Sequence, residues 1–351
     1  MNFTEVRGPY GGTNSFLRTL RHWLRQQQVE ITSQIDSSFD VALLSGLTDG
    51  VELSFVKTIA ARGVPIVHRK VGYRVSGSQE MRRMTDGVVW GDKLQIEFTP
   101  YISHTVFQSE YSRDVFQNSG FDGPFSVIHN GVDEAVFNTK VSTGWFGRRK
   151  TTREWWNGSD PLRVIVSTWS TDQNKGFADY MEIDRLLANQ RDVQVTLVGR
   201  TPADTSFRHI KVRRARPCAR LARLLKHAHI ILQLARYETC SNALIEGLNC
   251  GLPAIYLDSG SNKEIAATYG VPYVDGWPKA LEIMQARYRE FLGRIDNNPY
   301  RISVVGPKYL KLLKTLNKQV KIQKISSRLL LIAAKLLVLV ENYYMQGAPF
   351  L

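Results

Sequence analysis

The chain has 351 residues, of which 43% are hydrophobic and 10% aromatic, so it can form substantial cores and is not expected to be disordered. Its three cysteines have neither metal-ligand spacing nor an even disulfide count, which is typical of reduced thiols. The first residues lack the layout of a signal peptide, and no uncharged apolar run reaches the roughly 18 residues of a membrane span. We therefore expect a cytoplasmic protein, soluble or bound peripherally to the inner face of the membrane.

The formal net charge of +14 suggests an anionic partner, although a solvated basic surface stays an alternative. Eight basic residues lie between Arg208 and Lys226, and eight more between Lys308 and Lys335. Neither region has the interleaved aromatics of a base-stacking surface, and no nucleic-acid motif accompanies them. An anionic membrane surface or a phosphate-bearing substrate is therefore favoured, and no nucleic-acid partner is expected.

The first part of the chain alternates short apolar runs with helical patterns. A helix is predicted over Thr13–Leu24, with its apolar residues on one side. Continuous apolar runs are typical of parallel strands that are buried on both faces. The predicted strands are Phe3–Val6, Val41–Leu44, Pro65–Val67, His104–Phe107 and Phe125–Ile128.

A polar, basic stretch over residues 141–160 interrupts this pattern and is predicted to be a linker. The alternation then starts again. Strands are predicted at Leu162–Val166, Val193–Val198, Ile230–Leu234 and Ala254–Leu257, and helices at Phe177–Leu187, Cys218–Lys226, Asn242–Asn249 and Lys263–Thr268. The sequence therefore predicts an α/β protein with doubly wound domains at 1–140 and 161–305. Such sheets bind ligands at the carboxyl ends of their strands, here in the cleft between the domains.

Residues 306–351 form a separate C-terminal segment. Lysines recur every three or four residues from Lys308 to Lys324, so they share one helical face beside an apolar stripe. A basic amphipathic helix of this kind lies on an anionic membrane or packs against its own protein with the lysines in water. The sequence leaves both alternatives open.

The segment from Tyr237 to Ile265, YETCSNALIEGLNCGLPAIYLDSGSNKEI, carries most of the chemical signal. Glu238 follows a strand, and Glu246 lies eight positions later on the next helix. Carboxylates in these places can accept hydrogen bonds from sugar or ribose hydroxyls. A second loop, Asp258–Asn262, precedes another helix, and helix N-termini hold phosphates through backbone N–H groups.

This segment resembles the family-4 retaining glycosyltransferases, also called glycosyl transferases group 1. The resemblance rests on the E-x7-E spacing of Glu238 and Glu246, the Cys-Gly-Leu-Pro turn, and a Ser-Gly loop that ends in Glu264. It implies a GT-B fold whose second domain binds a nucleotide sugar. By this match Glu238 contacts the donor sugar and Glu246 the ribose. The loop that approaches the diphosphate or the sugar is formed by Ser259, Gly260, Ser261 and Asn262.

Other pieces resemble the same family. In the loop WSTDQNKGF, Lys175 matches a lysine that neutralises the departing diphosphate, whereas Ser170 or a neighbour occupies the place of the family arginine. Gly11 and Gly12 resemble the family's Gly-Gly loop. His68 resembles its first-domain histidine, which meets the donor sugar. Resemblance also extends to QSEYS and IHNGVD, where Ser109 is predicted to cap a helix and Asn130 to form a turn.

The predicted function is glycosyl transfer from a nucleotide-diphosphate sugar to a glycan or lipid-linked acceptor, with retention of configuration. No cofactor or metal is expected, because there is no Asp-x-Asp pair and lysines with helix N-termini can stabilise the diphosphate. Three alternatives stay open: a nucleotide-sugar epimerase of the same fold, a phosphorylase, and a non-catalytic nucleotide- or carbohydrate-binding subunit.

Overall fold

The structure is a computed structural model that describes residues 1, 12–46, 53–71, 95–143, 149–152 and 154–345. The predicted strand Phe3–Val6 and the predicted donor-binding Gly11 lie outside the described residues.

The first domain contains a parallel four-stranded sheet with the order β1-β2-β3-β4. Leu44 of the first strand pairs with His68 of the second, which pairs with Thr105 of the third. The elements are α1 (Gly12–Gln26), β1 (Ala42–Ser45), α2 (Leu53–Ala61), β2 (Ile66–Arg69), β3 (His104–Phe107), α3 (Glu110–Asn118) and β4 (Phe125–Val127).

This sheet is buried on both faces, as its continuous apolar strands predict. Leu43 and Val67 face a cluster that includes Phe16 and Leu20 of α1. Their strand neighbours point the opposite way, because side chains alternate along a strand. Ala42, Leu44 and Ile66 pack in a second cluster with Val56 and Ile59 of α2. Ser109 caps α3 by accepting the N–H of Ser112, as predicted.

The predicted linker contains an antiparallel hairpin formed by β5 (Lys140–Thr143) and β6 (Arg149–Thr152). A six-stranded parallel sheet follows, with the order β12-β11-β10-β7-β8-β9. Its elements are β7 (Leu162–Thr168), α4 (Phe177–Leu186), β8 (Val193–Gly199), β9 (Lys211–Arg214), α5 (Cys218–Lys226), β10 (Ile230–Gln233), α6 (Asn242–Asn249), β11 (Ala254–Tyr256), α7 (Asn262–Ala266), β12 (Gly270–Pro272) and α8 (Gly276–Ile295).

The second sheet also has a core on each face. Leu162, Val164 and Val166 of β7 face one cluster, which contains Trp277 of α8. Ile165 of the same strand faces the other cluster, which contains Leu244 of α6. Strand β7 therefore contributes apolar side chains to both cores, and helices cover both faces of the sheet.

The chain crosses between the domains twice. Val132 follows the first sheet, and its N–H and C=O bond to Tyr300 and Ile302 of the returning chain. A final helix, α9 (Ile302–Met345), then begins. Its first turns place Val305 and Tyr309 in the α1 cluster of the first domain. The C-terminal segment thus starts as part of the first domain's core.

Beyond Leu316, which is also buried, α9 leaves this core. Ile322, Ile325, Leu329 and Ile332 are each more than half exposed. The first part of α9 therefore packs against its own protein, which was one of the two alternatives. The later turns expose apolar side chains on the surface. None of the helices in the described residues combines the length and apolar character needed to cross a membrane.

Candidate active site

The loops that carry the predicted site residues leave the carboxyl ends of neighbouring strands. One follows β7 and contains Lys175, one follows β10 and contains Glu238, and one follows β11 and contains Ser259–Asn262. Because β7, β10 and β11 are adjacent and parallel, these loops meet at one edge of the sheet. This is the edge at which doubly wound sheets bind ligands.

Lys175 and Glu238 form an ion pair across two of these loops. Lys175 Nζ lies 2.5 Å from Glu238 Oε1, and each side chain is about four-fifths buried. Lys175 ends a short 3₁₀ turn, Gln173–Lys175, which Asp172 caps by accepting the N–H of Asn174. Gly176 then takes a left-handed conformation and α4 begins. The turn therefore holds a cation beside the carboxylate that is predicted to bind the donor sugar.

Ser170 does not replace the family arginine with another charge. Its hydroxyl accepts the N–H of Asp172, and its carbonyl accepts the hydroxyl of Thr168. The side chain thus shapes the turn that leads to Lys175. Arg200 is exposed at the end of the neighbouring strand, and Arg236 makes an ion pair with Asp179 of α4. Lys175 therefore remains the cation that contacts Glu238.

Glu246 lies on α6 beside a small cavity of about 100 Å³ between the two domains. Its side chain is almost fully buried. Burial raises the pKa of the Glu246 carboxyl to about 8, because desolvation penalises the ionised form. The lining also includes Gly12, Ser15 and Arg18 of the first domain, and Trp169, Arg216, Cys218 and Asn242 of the second.

Gly12, at the start of α1, lies against Asn242 of the second domain. A Cβ built on Gly12 would lie 1.6 Å from Asn242 Nδ2 at the start of α6. Any larger residue at position 12 would therefore require the Asn242 side chain to move. The absence of a side chain at Gly12 leaves room for Asn242. Gly12 also lines the cavity beside Glu246, and its contact with a donor stays a prediction.

The Ser259–Asn262 loop supports the backbone around Glu238. Ser259 Oγ accepts the N–H of Tyr237, and Ser261 N–H donates to the carbonyl of Glu238. Gly260 has φ +61°, and a Cβ there would lie 2.5 Å from the Glu238 backbone. Tyr237 itself has φ +57°, which is strained for a bulky residue. The loop therefore fixes the conformation from which Glu238 projects.

The same loop was predicted to offer its N–H groups to the diphosphate. Three of them already donate within the protein: Ser259 N–H to Leu257, Ser261 N–H to Glu238, and Asn262 N–H to Ser259. The side chain of Asn262 is buried and donates to the carbonyls of Ala235 and Leu257. Contact between this loop and a donor stays a prediction.

His68 is fully buried on β2 and does not line the Glu246 cavity. Within the described part of the chain, neither ring nitrogen has a hydrogen-bond partner. Burial, and the charge of Lys70 to a smaller degree, hold the pKa of His68 well below its usual range. A neutral imidazole is therefore present here, and its contact with a donor sugar stays a prediction.

The neighbours of His68 show a contact that the sequence did not. Arg69 is buried, and its Nη2 donates to Gln108 Oε1 at 2.7 Å and Asn130 Oδ1 at 2.6 Å. Asn130 in turn donates to Asn242 Oδ1 across the domains at 3.2 Å. We predicted only a turn at Asn130, because a dipeptide signal for a turn contains no information about the opposite domain. The IHN segment is in fact part of the domain contact.

Residues 161–282 match the family model described as Glycosyl transferases group 1. The chain carries a group 1 glycosyltransferase domain. The matched region contains Lys175, Glu238, Glu246 and the Ser259–Asn262 loop, so this domain holds the candidate site. The match indicates glycosyl transfer as the broad functional class of this domain. A search of curated proteins gives no match to the sequence.

Solved structures place the same domain within a GT-B fold. Sucrose-phosphate synthase from Thermosynechococcus elongatus aligns with a TM-score of 0.55 and 12% identity, covering 86% of this chain and 78% of that one. An alpha,alpha-trehalose 6-phosphate synthase from Burkholderia multivorans gives 0.56 and 15%, covering 88% and 78%. The pneumococcal O-GlcNAc transferase GtfA gives 0.56 and 12%, covering 85% of this chain but only 59% of that one. These likenesses confirm the predicted GT-B architecture around the group 1 glycosyltransferase domain.

Proposed function

We propose that the protein is a retaining hexosyltransferase that takes its sugar from a nucleotide-diphosphate donor. The Lys175–Glu238 pair supports this proposal, since it places a cation and a carboxylate together at the edge of the second sheet where such folds bind ligands. The pneumococcal transferase of the same fold is described in complex with UDP and GlcNAc, which agrees with a nucleotide donor here.

In the proposed reaction the bond between the anomeric carbon and the diphosphate breaks, the oxygen of an acceptor hydroxyl bonds to the same face of the sugar, and the hydroxyl proton passes to the leaving diphosphate. Negative charge grows on the leaving diphosphate, where Lys175 and nearby backbone dipoles stabilise it. Glu238 accepts hydrogen bonds from hydroxyl groups of the sugar, and the ribose binds in the cavity beside Glu246. Lysine and backbone dipoles can stabilise this charge without a metal, so we propose that activity survives chelation.

Donor hydrolysis by the wild type and by Glu238→Ala tests the proposed function, after thermal-shift screening of nucleoside diphosphates has identified the base. Ligand binding should raise the melting temperature. Loss of the hydrogen bonds to a charged Glu238 should lower donor turnover by about 10- to 100-fold, and chelator should leave it unchanged. Absence of turnover in both proteins, despite tight nucleotide binding, would favour the non-catalytic alternative. Conversion of the donor into an epimeric nucleotide sugar, with no net release of nucleoside diphosphate, would favour an epimerase.

We further propose that α9 attaches the enzyme to an anionic membrane, where a lipid-linked acceptor or a growing polysaccharide would be available. Lys311, Lys314, Lys318 and Lys321 are exposed along one face of the helix. At 100° per residue, the exposed Ile322, Ile325, Leu329 and Ile332 continue the same face. An apolar end that follows directly on a row of lysines fits insertion among acyl chains with the lysines at the headgroups.

The double variant Ile322→Asp/Ile325→Asp should therefore lose binding to vesicles that contain anionic lipid. Wild-type protein should sediment with vesicles of mixed phosphatidylcholine and phosphatidylglycerol, less so as salt rises, and weakly with phosphatidylcholine alone. Val274→Asp is the matched control, because Val274 is 71% exposed on the second domain. Equal sedimentation of the double variant and the wild type would contradict the membrane proposal. A wild-type dimer that the double variant abolishes would also contradict the membrane proposal, since α9 would then bind a second copy of the chain.

A further inference from the structure

The N-terminus of α3 in the first domain is capped from two directions. An α-helix begins with N–H groups that have no partner within the helix. Ser109 supplies an acceptor for one of them, since its Oγ accepts the N–H of Ser112 at 2.9 Å. Its carbonyl accepts the N–H of Arg113 at 3.1 Å, which is the first bond of the helix itself. The N–H groups of Glu110 and Tyr111 therefore need acceptors from elsewhere.

The second domain provides them. Both carboxylate oxygens of Glu264 accept the N–H of Glu110, at 2.9 and 3.0 Å, and Oε2 accepts the N–H of Tyr111 at 3.4 Å. Oε1 also lies 2.6 Å from Nε2 of His129, another residue of the first domain. One carboxylate from α7 thus completes the cap of a helix in the opposite domain.

The chemistry of this contact favours an ionised Glu264. Its side chain is about one-fifth exposed, and burial alone would raise the pKa of the carboxyl. The hydrogen bonds from His129 and from the N–H of Glu110 outweigh burial and hold that pKa below its usual value. A carboxylate is also favoured at the positive end of a helix dipole. The ionised Glu264 carboxylate therefore strengthens both its hydrogen bond with His129 and those from the N-terminus of α3.

Glu264 is also connected to the candidate site through its own helix. α7 begins at Asn262, where the Ser259–Asn262 loop ends. Within this loop Ser261 N–H donates to the carbonyl of Glu238 at 2.7 Å. A displacement of α7 would accordingly move the backbone from which Glu238 projects.

We propose that Glu264 is a positioning residue that fastens the first domain to the loop supporting Glu238. The adjacent first-domain residue strengthens this assignment, because Asn130 contacts Asn242 while His129 contacts Glu264. Two neighbouring side chains of the first domain thus contact two different helices of the second domain, α6 and α7. The expected effect of Glu264 on turnover rests on the proposed transferase function, whereas the contact between Glu264 and the first domain does not.

Amide hydrogen exchange and kinetics test this proposal on the full-length protein with Glu264→Ala, Glu264→Gln and His129→Ala. In Glu264→Ala the amides of Glu110, Tyr111 and Ser261 should exchange faster, while that of Ser112 keeps its protection from Ser109. Donor turnover should fall by up to about 100-fold, the loss that small misplacement can cause. Binding of UDP and GDP should stay near wild type, since Glu264 does not line the Glu246 cavity. Glu264→Gln keeps an acceptor oxygen and should recover part of both losses.

Glu290→Ala is the matched control, because Glu290 is an ion-paired carboxylate within α8 that makes no domain contact. Unchanged exchange of the Glu110 and Tyr111 amides in Glu264→Ala would contradict the proposed contact between Glu264 and the first domain. Faster exchange there with unchanged Ser261 exchange and unchanged turnover would overturn the positioning role. If the wild type consumes no donor, the proposed function fails. The exchange rate of the Ser261 amide in Glu264→Ala then still shows whether Glu264 positions the loop. His129→Ala and Glu264→Gln provide the same readouts if Glu264→Ala does not fold.

Discussion

Replacing Lys175 with alanine is expected to lower donor turnover by about 100- to 1000-fold, the usual cost of removing one group that stabilises a developing anion. Lys175 lies in a turn fixed by Asp172 and Gly176, so its ammonium is held in place before the reaction. Because charge on the diphosphate grows in the transition state, the loss should fall on kcat more than on KM. Steady-state donor hydrolysis measures both.

Lys263→Ala is the control for this experiment. Lys263 follows the neighbouring loop on the same sheet edge, and it pairs with Asp258 at 3.0 Å while its side chain is 65% exposed. An exposed pair of this kind contributes little, so turnover should stay close to wild type. Lys175→Arg should recover part of the activity, since it keeps the charge. Near-normal turnover in Lys175→Ala would mean that another cation neutralises the diphosphate.

Lys175 and Glu238 should also be energetically coupled. Their ion pair is partly buried, so removing either one leaves the other desolvated without its counter-charge. The double variant Lys175→Ala/Glu238→Ala should therefore be more stable to unfolding than the sum of the two single variants implies. Denaturant unfolding of the four proteins gives this coupling energy directly.

The sequence predicted four of the six strands and four of the five helices of the second domain, because these elements are continuous apolar runs separated by helical patterns, but it gave no prediction for β12 or α8. Asn242–Asn249 is an example: Ser241 caps the helix, and Gly251 takes a left-handed conformation just after it. The hairpin β5–β6 was missed, since its strands are polar and pair only with each other. Strand β9 was missed for a similar reason, because all four of its residues are exposed.

The candidate site was predicted only where its signal is local. Glu238, Glu246 and Lys175 occur in short motifs with fixed spacing, so one sequence is enough to select them. Glu264 and His129 are 135 positions apart, and no periodic pattern connects residues across such a distance. The burial of Arg69 could not be predicted for the same reason. A cation after an apolar strand is typical of an exposed strand end, and only the structure places Gln108 and Asn130 around it.

Replacing Glu246 with glutamine should change how the stability of the protein depends on pH. The folded protein raises the pKa of this carboxyl to about 8, whereas the unfolded chain gives it an ordinary value near 4.3. Between these two values the folded state keeps a proton that the unfolded state has released. The free energy of unfolding of the wild type should therefore fall as pH rises through this range, by up to about 1.4 kcal/mol per pH unit.

Glu246→Gln has nearly the same shape and no titrating group, so this contribution to the slope should disappear. The variant should be increasingly more stable than the wild type as pH rises from about 5 to 8, as measured by urea unfolding at each pH. Glu282→Gln, at a 68% exposed carboxylate of α8, should follow the wild-type curve. A constant difference between Glu246→Gln and the wild type across this range would show that the folded carboxyl titrates normally.

The same substitution separates a structural role for Glu246 from binding of the ribose. If two ribose hydroxyls donate to the ionised carboxylate, nucleotide binding must release the proton that the empty site holds, so affinity should rise with pH up to about 8. Glutamine offers one acceptor oxygen and no charge, which should weaken nucleoside diphosphate binding by about tenfold and remove its pH dependence. Calorimetry in buffers of different ionisation enthalpy detects the released proton directly. Because residues of both domains, including Gly12 and Asn242, line the cavity beside Glu246, this proton release would place the bound nucleotide in that cavity.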